Sequence, residues 1–466
     1  MRIIIDNDIT IEEHTSDTEK WCRDNLTIDN PDFYKRQRMG MWTRSVPRTI
    51  QLYERHGDSL KIPFGCLRDV WKMFREADEG STYDYRIMPT EGRKYISHIN
   101  LYDYQENAIQ HVLSAKNGIL VMPCGAGKTQ CGLEIIMRVG GRALWLTHTQ
   151  DLMNQSMKRA EGVMDVSEGM LGTITEGKVN IGTHITFATI QTMCRLDLER
   201  YRHEWDIVIV DECQRCAGSP TRVSQFYKVV NNLSARYKIG LTATPKRSDG
   251  LEKSMFALLG SIIYKVPKEF VRTCPVRVQS IETGWEPDVD RICRGDGTID
   301  YAKVIEDMTE NEERFELVIN NIVDITRREP TMVLANRVEY LKALCRAYNE
   351  GQAGTGVCLS GMGQSKKAKE ERKQALEALN SGEIECIFAT YQLAKEGLDV
   401  PNLRYVVFAT PEKDPTTVTQ SAGRVARVCE GKEYGTVIDF VDDFGMYRKW
   451  AKSRQNIYRN LKYFCE

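Results

Sequence analysis

From about residue 100 onward, short apolar runs alternate with amphipathic stretches at helical spacing. GILVM (118–122), RALWLT (142–147), DIVIVDE (206–212) and YKIGLTATP (237–245) are continuous rather than alternating in their apolar character. That is the signature of strands buried on both faces of a parallel sheet. Between them KTQCGLEIIMRV (128–139) and DLMNQSMKRAE (151–161) predict helices, giving a doubly wound α/β unit. The rhythm pauses over GWEPDVDRICRGDG (284–297), whose Gly, Pro and Asp predict a loop. It resumes with TMVLAN (331–336), TGVCLSG (355–361), ECIFAT (385–390), RYVVFATP (404–411) and GTVIDFVDD (435–443), with helices over 338–350 and 368–382. Residues 1–98 differ: MRIIIDNDITIEEH alternates like a strand, 49–63 suggests a hairpin and 66–79 a helix. The pattern therefore predicts an α+β module over 1–98 and two α/β domains over 99–270 and 271–466, with no strict internal repeat.

Composition adds limits. With 466 residues, 41% hydrophobic and 28% charged, the chain has the length of about three domains and apolar content enough for real cores. Apolar runs fall short of the ~18 residues of a membrane span, and the early acids argue against a signal peptide. Fourteen scattered cysteines fit a reducing, cytoplasmic setting. Cys213 and Cys216 form a lone CxxC, whereas a structural zinc site needs four ligands. Net charge is −1, from 64 basic and 65 acidic residues, so any polyanion contact rests on local patches. Two qualify. YKRQRMGMWTRSVPR (34–48) mixes basic residues with Tyr34 and Trp42 and has no acid. The tail (446–464) interleaves Arg448, Lys449, Lys452, Arg454, Arg459 and Lys462 with aromatics; Trp450, Ile457, Leu461 and Phe464 recur at helical spacing, which favours a packed last helix.

Three stretches carry chemistry. MPCGAGKT (122–129) sits between a predicted strand and a predicted helix. Backbone N–H groups in such a turn form a nest for phosphate oxygens, and the helix adds its positive end. Gly125 and Gly127 permit close backbone approach, Lys128 reaches the β/γ-phosphates and Thr129 offers a hydroxyl to Mg²⁺; the strict phosphate-loop pattern has Gly where this chain has Met122. In DIVIVDECQRC, Asp211 and Glu212 leave a buried strand at the end where ligands of open α/β sheets bind. Asp211 can hold Mg²⁺, and Glu212 can deprotonate an attacking water. QSAGRVAR (420–427) sets Gln420, Arg424 and Arg427 at a rhythm that shares one helix face. An arginine supplied from outside a phosphate-loop domain speeds phosphoryl transfer by about 10³–10⁵.

The ordered set resembles a superfamily-two DNA helicase or translocase, of the XPB-like branch and similar to phage helicases of the UvsW kind. The resemblance implies two tandem RecA-like domains over roughly 100–445. YQE (104–106) matches the adenine-contacting element and PCGAGKT motif I, so Gln105 reads adenine while Pro123, Cys124, Gly125, Ala126, Gly127, Lys128 and Thr129 hold the phosphates of ATP. LTHTQDL (146–152), ITFATIQT (185–192), DECQ (211–214), TATP (242–245), LANRVE (334–339) and ATYQLAKEGLDVP (389–401) match the succeeding motifs in order. The implied roles follow: Gly397 and Asp399 join Gln420, Arg424 and Arg427 in completing the ATP site. Gln214, Thr242 and Thr244 couple nucleotide state to strand grip. Thr147, Thr189, Gln191, Asn336, Arg337 and Thr390 face the nucleic acid, largely through its phosphates. Tyr102 stands where an arginine is common, Gln214 replaces the usual histidine, and KRSDG (246–250) matches XPB's Arg-Glu-Asp element poorly.

The implied activity is a nucleic-acid-dependent ATPase, a cleft that closes on ATP·Mg²⁺ and opens after hydrolysis, moving 3′→5′ on single-stranded, forked or branched DNA. RNA is the alternative partner, since only 2′-OH contacts separate the two; a restriction-type motor is another. For the latter, Pro31-Asp32 lacks the later acid-x-Lys triplet of a nuclease core. The leading module either grips DNA through Tyr34–Arg48 or caps the motor with solvated charges. The expected setting is a cytoplasm, that of the infected host for a phage protein, with a chain acting as a monomer and away from membranes.

Overall fold

The computed structural model describes the chain except residues 76–80, 89–91, 124, 219–223, 248, 272, 296–297, 327–328, 352–353, 364, 396–397, 399 and 466. Cys124, Gly397 and Asp399 of the expected ATP site thus lie outside the described residues. The chain forms two compact units, Met1–Val271 and Arg272–Glu466. Among the described residues no helix is long and apolar enough to cross a membrane.

The first unit holds an eight-stranded sheet in the order Lys178–Asn180, Leu171–Thr175, Ile185–Thr189, Ala143–Thr147, Ile207–Asp211, Tyr237–Thr242, Asn117–Val121, Ile262–Lys265. Every pairing is parallel except the first. All five residues of Ala143–Thr147, Ile185–Thr189 and Ile207–Asp211 are buried, which is why these runs are apolar on both faces. Lys128–Val139 packs close against this sheet at Gly132, where a Cβ would lie 2.7 Å from the Trp145 ring and 2.8 Å from Leu241. The chain therefore spends an otherwise costly helical glycine to bring the helix carrying Lys128 down onto the strands.

The leading residues build their own sheet within this unit, ordered Glu54–His56, Ser59–Pro63, Asp8–Glu12, Arg2–Ile5, Thr82–Tyr85. The opening alternation is two strands, Arg2–Ile5 and Asp8–Glu12, folded back on each other. The expected hairpin over 49–63 splits: Glu54–His56 pairs with Ser59–Pro63, while Thr49–Gln51 pairs with Thr27–Asp29. The module's core takes in Ala217, Leu251 and Ala257 from the neighbouring α/β domain. A buried lysine fastens the two: Lys238 Nζ donates to Asn7 O at 3.0 Å and Val230 O at 3.3 Å, beneath the Phe64 ring. Burial pushes its ammonium down to about 7 despite Asp8 and Asp6 nearby.

The second unit is a seven-stranded, all-parallel sheet ordered Gly356–Cys358, Cys386–Thr390, Thr331–Ala335, Tyr405–Phe408, Gly435–Val441, Val276–Glu282, Phe464–Cys465. The expected loop at 284–297 contains a helical turn, Val289–Ile292, and buries Trp285 against Tyr447. The last helix, Gly445–Asn460, buries Tyr447, Ala451, Arg454 and Tyr458, not the stripe through Trp450 and Phe464. Arg454 causes the rotation. It is buried and grips Asp439, with Nη2 to Oδ1 at 2.8 Å, so it is a structural cation rather than a polyanion contact. Arg314 does the same on Asp442, at 2.6 Å.

Candidate active site

The strand Asn117–Val121 leads through Met122 and Pro123 into a turn in which Gly125 and Gly127 take φ of +80° and +82°. Gly127 caps the helix Lys128–Val139, and a Cβ there would lie 2.4 Å from Gln105 Nε2. Glycine is favoured there by backbone conformation, and a side chain would also displace the Gln105 carboxamide. Gln105, itself buried, donates from Nε2 to Ala126 O at 2.9 Å and accepts from Tyr102 N at 3.0 Å. Tyr104 adds a bond from its hydroxyl to the same carbonyl at 3.3 Å. Gln105 and Tyr104 therefore brace the turn. The exposed Tyr102 ring lies parallel to Tyr104 at 5.7 Å.

Across the sheet, Asp211 ends Ile207–Asp211 and Glu212 turns out of it at φ +51°. A non-glycine residue in that region is strained and clusters at functional sites. The turn lets Glu212 Oε1 meet Lys128 Nζ at 3.0 Å. From there a chain of hydrogen bonds continues. Gln214 Nε2 donates to Glu212 Oε2 at 2.7 Å, Thr242 Oγ1 donates to Gln214 Oε1 at 2.7 Å, and Thr244 N donates to Thr242 Oγ1 at 3.0 Å. Gln214 can serve as a link because a carboxamide donates and accepts at once. It also stays neutral at every pH, unlike a histidine.

Burial and the charge of Glu212 push the Asp211 carboxyl up, to about 7, against the pull of Lys128. Burial acts on Glu212 in the same direction, but Lys128 and Gln214 outweigh it and hold that carboxyl below its usual range. One lysine thus serves two carboxylates, one buried and one half-buried. The surplus charge at Asp211, with the partly buried Thr129 hydroxyl on the adjoining helix, is a donor set of the hard-oxygen kind that Mg²⁺ takes.

Two further residues were not foreseen. Arg247, in KRSDG, donates to Gln214 O and pairs with Asp249 at 2.6 Å. His148 stacks on Phe226, and its carbonyl accepts from Gln191 Nε2 at 2.6 Å. The only advance signal was the Arg-x-Asp spacing of residues 247–249.

The expected strand-facing residues differ in exposure. Asn336 and Arg337 are exposed, Gln191 and Thr390 partly so. Thr147 and Thr189 are buried. Their hydroxyls donate to Thr149 O at 3.0 Å and Thr192 Oγ1 at 3.1 Å, so these two finish strand ends instead of facing outward.

In the second unit the helix Pro415–Ala422 stops at Gly423. Arg424 and Arg427 follow in i→i+3 turns, Arg424 N to Ser421 O at 3.2 Å and Arg427 N to Arg424 O at 3.4 Å. Gln420, Arg424 and Arg427 therefore do not share a helix face as expected. Arg424 is 9% exposed and its two terminal nitrogens donate to the carbonyls of Ala394 and Leu398. Arg427 is partly exposed, and Gln420 Oε1 is buried without a hydrogen-bond partner among the described residues. Elsewhere, Cys213 and Cys216 are buried free thiols, both pushed up by burial. No group of metal-ligating side chains surrounds them among the described residues.

Residues 98–247 match the family model "Type III restriction enzyme, res subunit" and residues 313–429 match "Helicase conserved C-terminal domain". A protein of Acanthamoeba polyphaga mimivirus, provisionally named ATP-dependent RNA helicase L396, is 24% identical over 88% of this chain and 76% of its own. The DNA 3'-5' translocase XPB2 of Sulfurisphaera tokodaii is 33% identical over 42% of this chain and 43% of its own. Among solved structures, S. cerevisiae Dbp5 bound to RNA and ADP BeF3 shares the fold at TM-score 0.55, with 15% identity over 78% of this chain and 89% of that one. The chain is a superfamily-two helicase of the XPB-like kind, and a nucleic-acid-dependent ATPase.

Proposed function

We propose that this ATPase is a DNA translocase that remodels forked or branched DNA, work that belongs to repair, recombination or replication. The observation that carries the reading is the unbroken chain Lys128–Glu212–Gln214–Thr242–Thr244. In it the lysine that meets the phosphates and the carboxylate that activates water are bonded to each other. A triphosphate in the Gly125–Gly127 turn competes for Lys128. Glu212 is then released to orient water, and the change in its hydrogen bonding reaches Thr242 through Gln214. Asp211 and Thr129 would hold Mg²⁺, which would supply positive charge to the phosphates.

The choice of DNA draws support from the higher identity to XPB2 and from the leading module. There the helix Pro31–Arg38 carries Lys35, Arg36 and Arg38. Beyond it Met39, Met41 and Trp42 are 64%, 54% and 66% exposed, with Arg44 stacked on Trp42. Cations around an exposed apolar tip suit phosphates flanking an unstacked base step. The likeness to L396 over most of the chain favours a second reading, an RNA helicase. Phosphate release measured with single-stranded DNA, forked DNA and RNA of equal length decides between them. The DNA reading expects the strongest stimulation by forks, and stimulation by RNA alone would overturn it.

Gln214→Ala is expected to keep basal turnover within a few-fold of the parent chain. Stimulation by nucleic acid should drop about tenfold, the effect of one charge-assisted hydrogen bond of ~1.5 kcal/mol. Equal stimulation of variant and parent would show that the link through Gln214 transmits nothing.

A further inference from the structure

At the end of the first unit's sheet remote from Gly125–Lys128, where Asn117–Val121 and Tyr237–Thr242 begin, lies a cavity of about 550 Å³. One wall is aromatic. Trp71, on the helix Leu67–Arg75, is 41% exposed and hydrogen-bonded to the hydroxyl of Tyr85, itself 56% exposed. Beyond the cavity the stack continues to Tyr83, two residues before Tyr85 on the edge strand Thr82–Tyr85 and on the same face, with ring centroids 6.5 Å apart and planes 23° from parallel. The rim is also cationic: exposed Arg68, one helical turn before Trp71, and exposed Lys116 and Arg236 line the same cavity. Arg68 is held in place by its bond to Ala115 O at 3.0 Å. Lys116 caps the helix Asp103–Ala115 at φ +65°. Of the nearby acids, Asp84 is occupied by Arg2 and Arg86, while Asp69 is exposed in the neighbouring depression.

Exposed aromatic rings beside exposed cations match the two halves of a nucleotide strand, bases that stack and phosphates that need cations. The ring spacing is about twice the ~3.4 Å rise per nucleotide of duplex DNA, so it suits a strand drawn out rather than paired. We infer that this groove takes single-stranded DNA, as a second contact at the opposite end of the sheet from the ATP site. The inference rests on the DNA reading above. None of these side chains belongs to the ATP site, so the groove adds grip without changing the chemistry.

The test uses the full chain with thymidine oligonucleotides and forks carrying 4-thiothymidine. Photocross-links are expected on the peptides containing Trp71 or Tyr83–Tyr85. Tyr83→Ala with Tyr85→Ala should weaken fork binding about tenfold and leave DNA-free ATPase unchanged. Lys116→Gly with Arg236→Gln should lower the slope of log affinity against log salt by about 1 to 2; glycine suits the positive φ at 116, so this variant keeps its fold even if the tyrosine pair does not. Cross-links absent from both peptides, or parental affinity and slope in both variants, would overturn the groove. If that happens while the parent chain still binds forks and is stimulated by them, the DNA reading stands. If the parent chain neither binds nor responds to DNA, both fall.

Discussion

Lys128→Ala is expected to fold and yet to release phosphate at least ~10²–10³-fold more slowly than the parent chain, the cost of losing one preorganised charge at a reacting phosphate. The geometry suggests a second consequence. Lys128 and Glu212 are 15% and 21% exposed in their side chains, and Lys128 is the cation that holds the Glu212 carboxyl down. Without it, the half-buried Glu212 carboxylate is left beside the buried Asp211 with no cation between them. The nucleotide-free protein should therefore lose about 1–3 kcal/mol of stability, the cost of leaving a partly buried charged group without its partner. Glu212→Gln should be milder in the melt and as damaging to turnover, because it removes the charge that needed Lys128 together with the base. Lys128→Ala,Glu212→Gln should melt above Lys128→Ala alone. Phosphate release and thermal melts on the four proteins separate these effects. Full-rate hydrolysis by Lys128→Ala would remove the phosphate-loop assignment. A double variant no more stable than the single would remove the pairing argument while leaving the assignment intact.

The reach of sequence reading follows from the same contacts. The strands came through because burial on both faces leaves a solid apolar run: Ala143–Thr147 and Ile207–Asp211 have no exposed position to break it. The tail helix misled by one position because its buried face includes Arg454. A guanidinium gripping Asp439 looks, in sequence, like any solvated cation. The segment 284–297 read as loop because a four-residue helical turn, Val289–Ile292, is too short for periodicity to register, and Trp285 gives no sign of its partner Tyr447. Within the site, residues whose chemistry is their own stood out: a lysine after two glycines, and paired carboxylates ending a strand. Those acting on main-chain atoms did not. Arg247 on Gln214 O leaves no trace in a partner's side chain, since every residue has a carbonyl; Gln105 stood out only through the family resemblance, as a contact to adenine, and not for its bond to Ala126 O. Thr147 and Thr189 failed in the opposite sense. A threonine at a strand end can present its hydroxyl outward or bond it to the next turn, and here both bond inward.

The two arginines of QSAGRVAR should separate in a way that their shared motif hides. Arg424 is 9% exposed and tied to the carbonyls of Ala394 and Leu398. Arg424→Ala leaves two buried carbonyls without their donor, at ~1–3 kcal/mol each, and should lower the melting temperature as well as turnover. Arg427 is partly exposed, the more exposed of the pair. We propose that it supplies charge to the phosphoryl group in flight, the role that the family resemblance implies for this motif. Arg427→Ala should then melt like the parent chain and bind ATP within a few-fold of it, while maximal turnover falls by about 10³-fold or more, as when an arginine finger is lost. Arg427→Lys should restore little, because a point charge cannot reproduce the planar fork of donors. Steady-state kinetics with saturating forked DNA, fluorescent ATP-analogue binding and melts on each variant make the comparison. Equal losses of ATP affinity and turnover in Arg427→Ala would mean that the side chain serves binding rather than the transition state. A low turnover confined to Arg424→Ala, with Arg427→Ala unaffected, would move the finger to Arg424 and require it to leave its two carbonyls during the cycle.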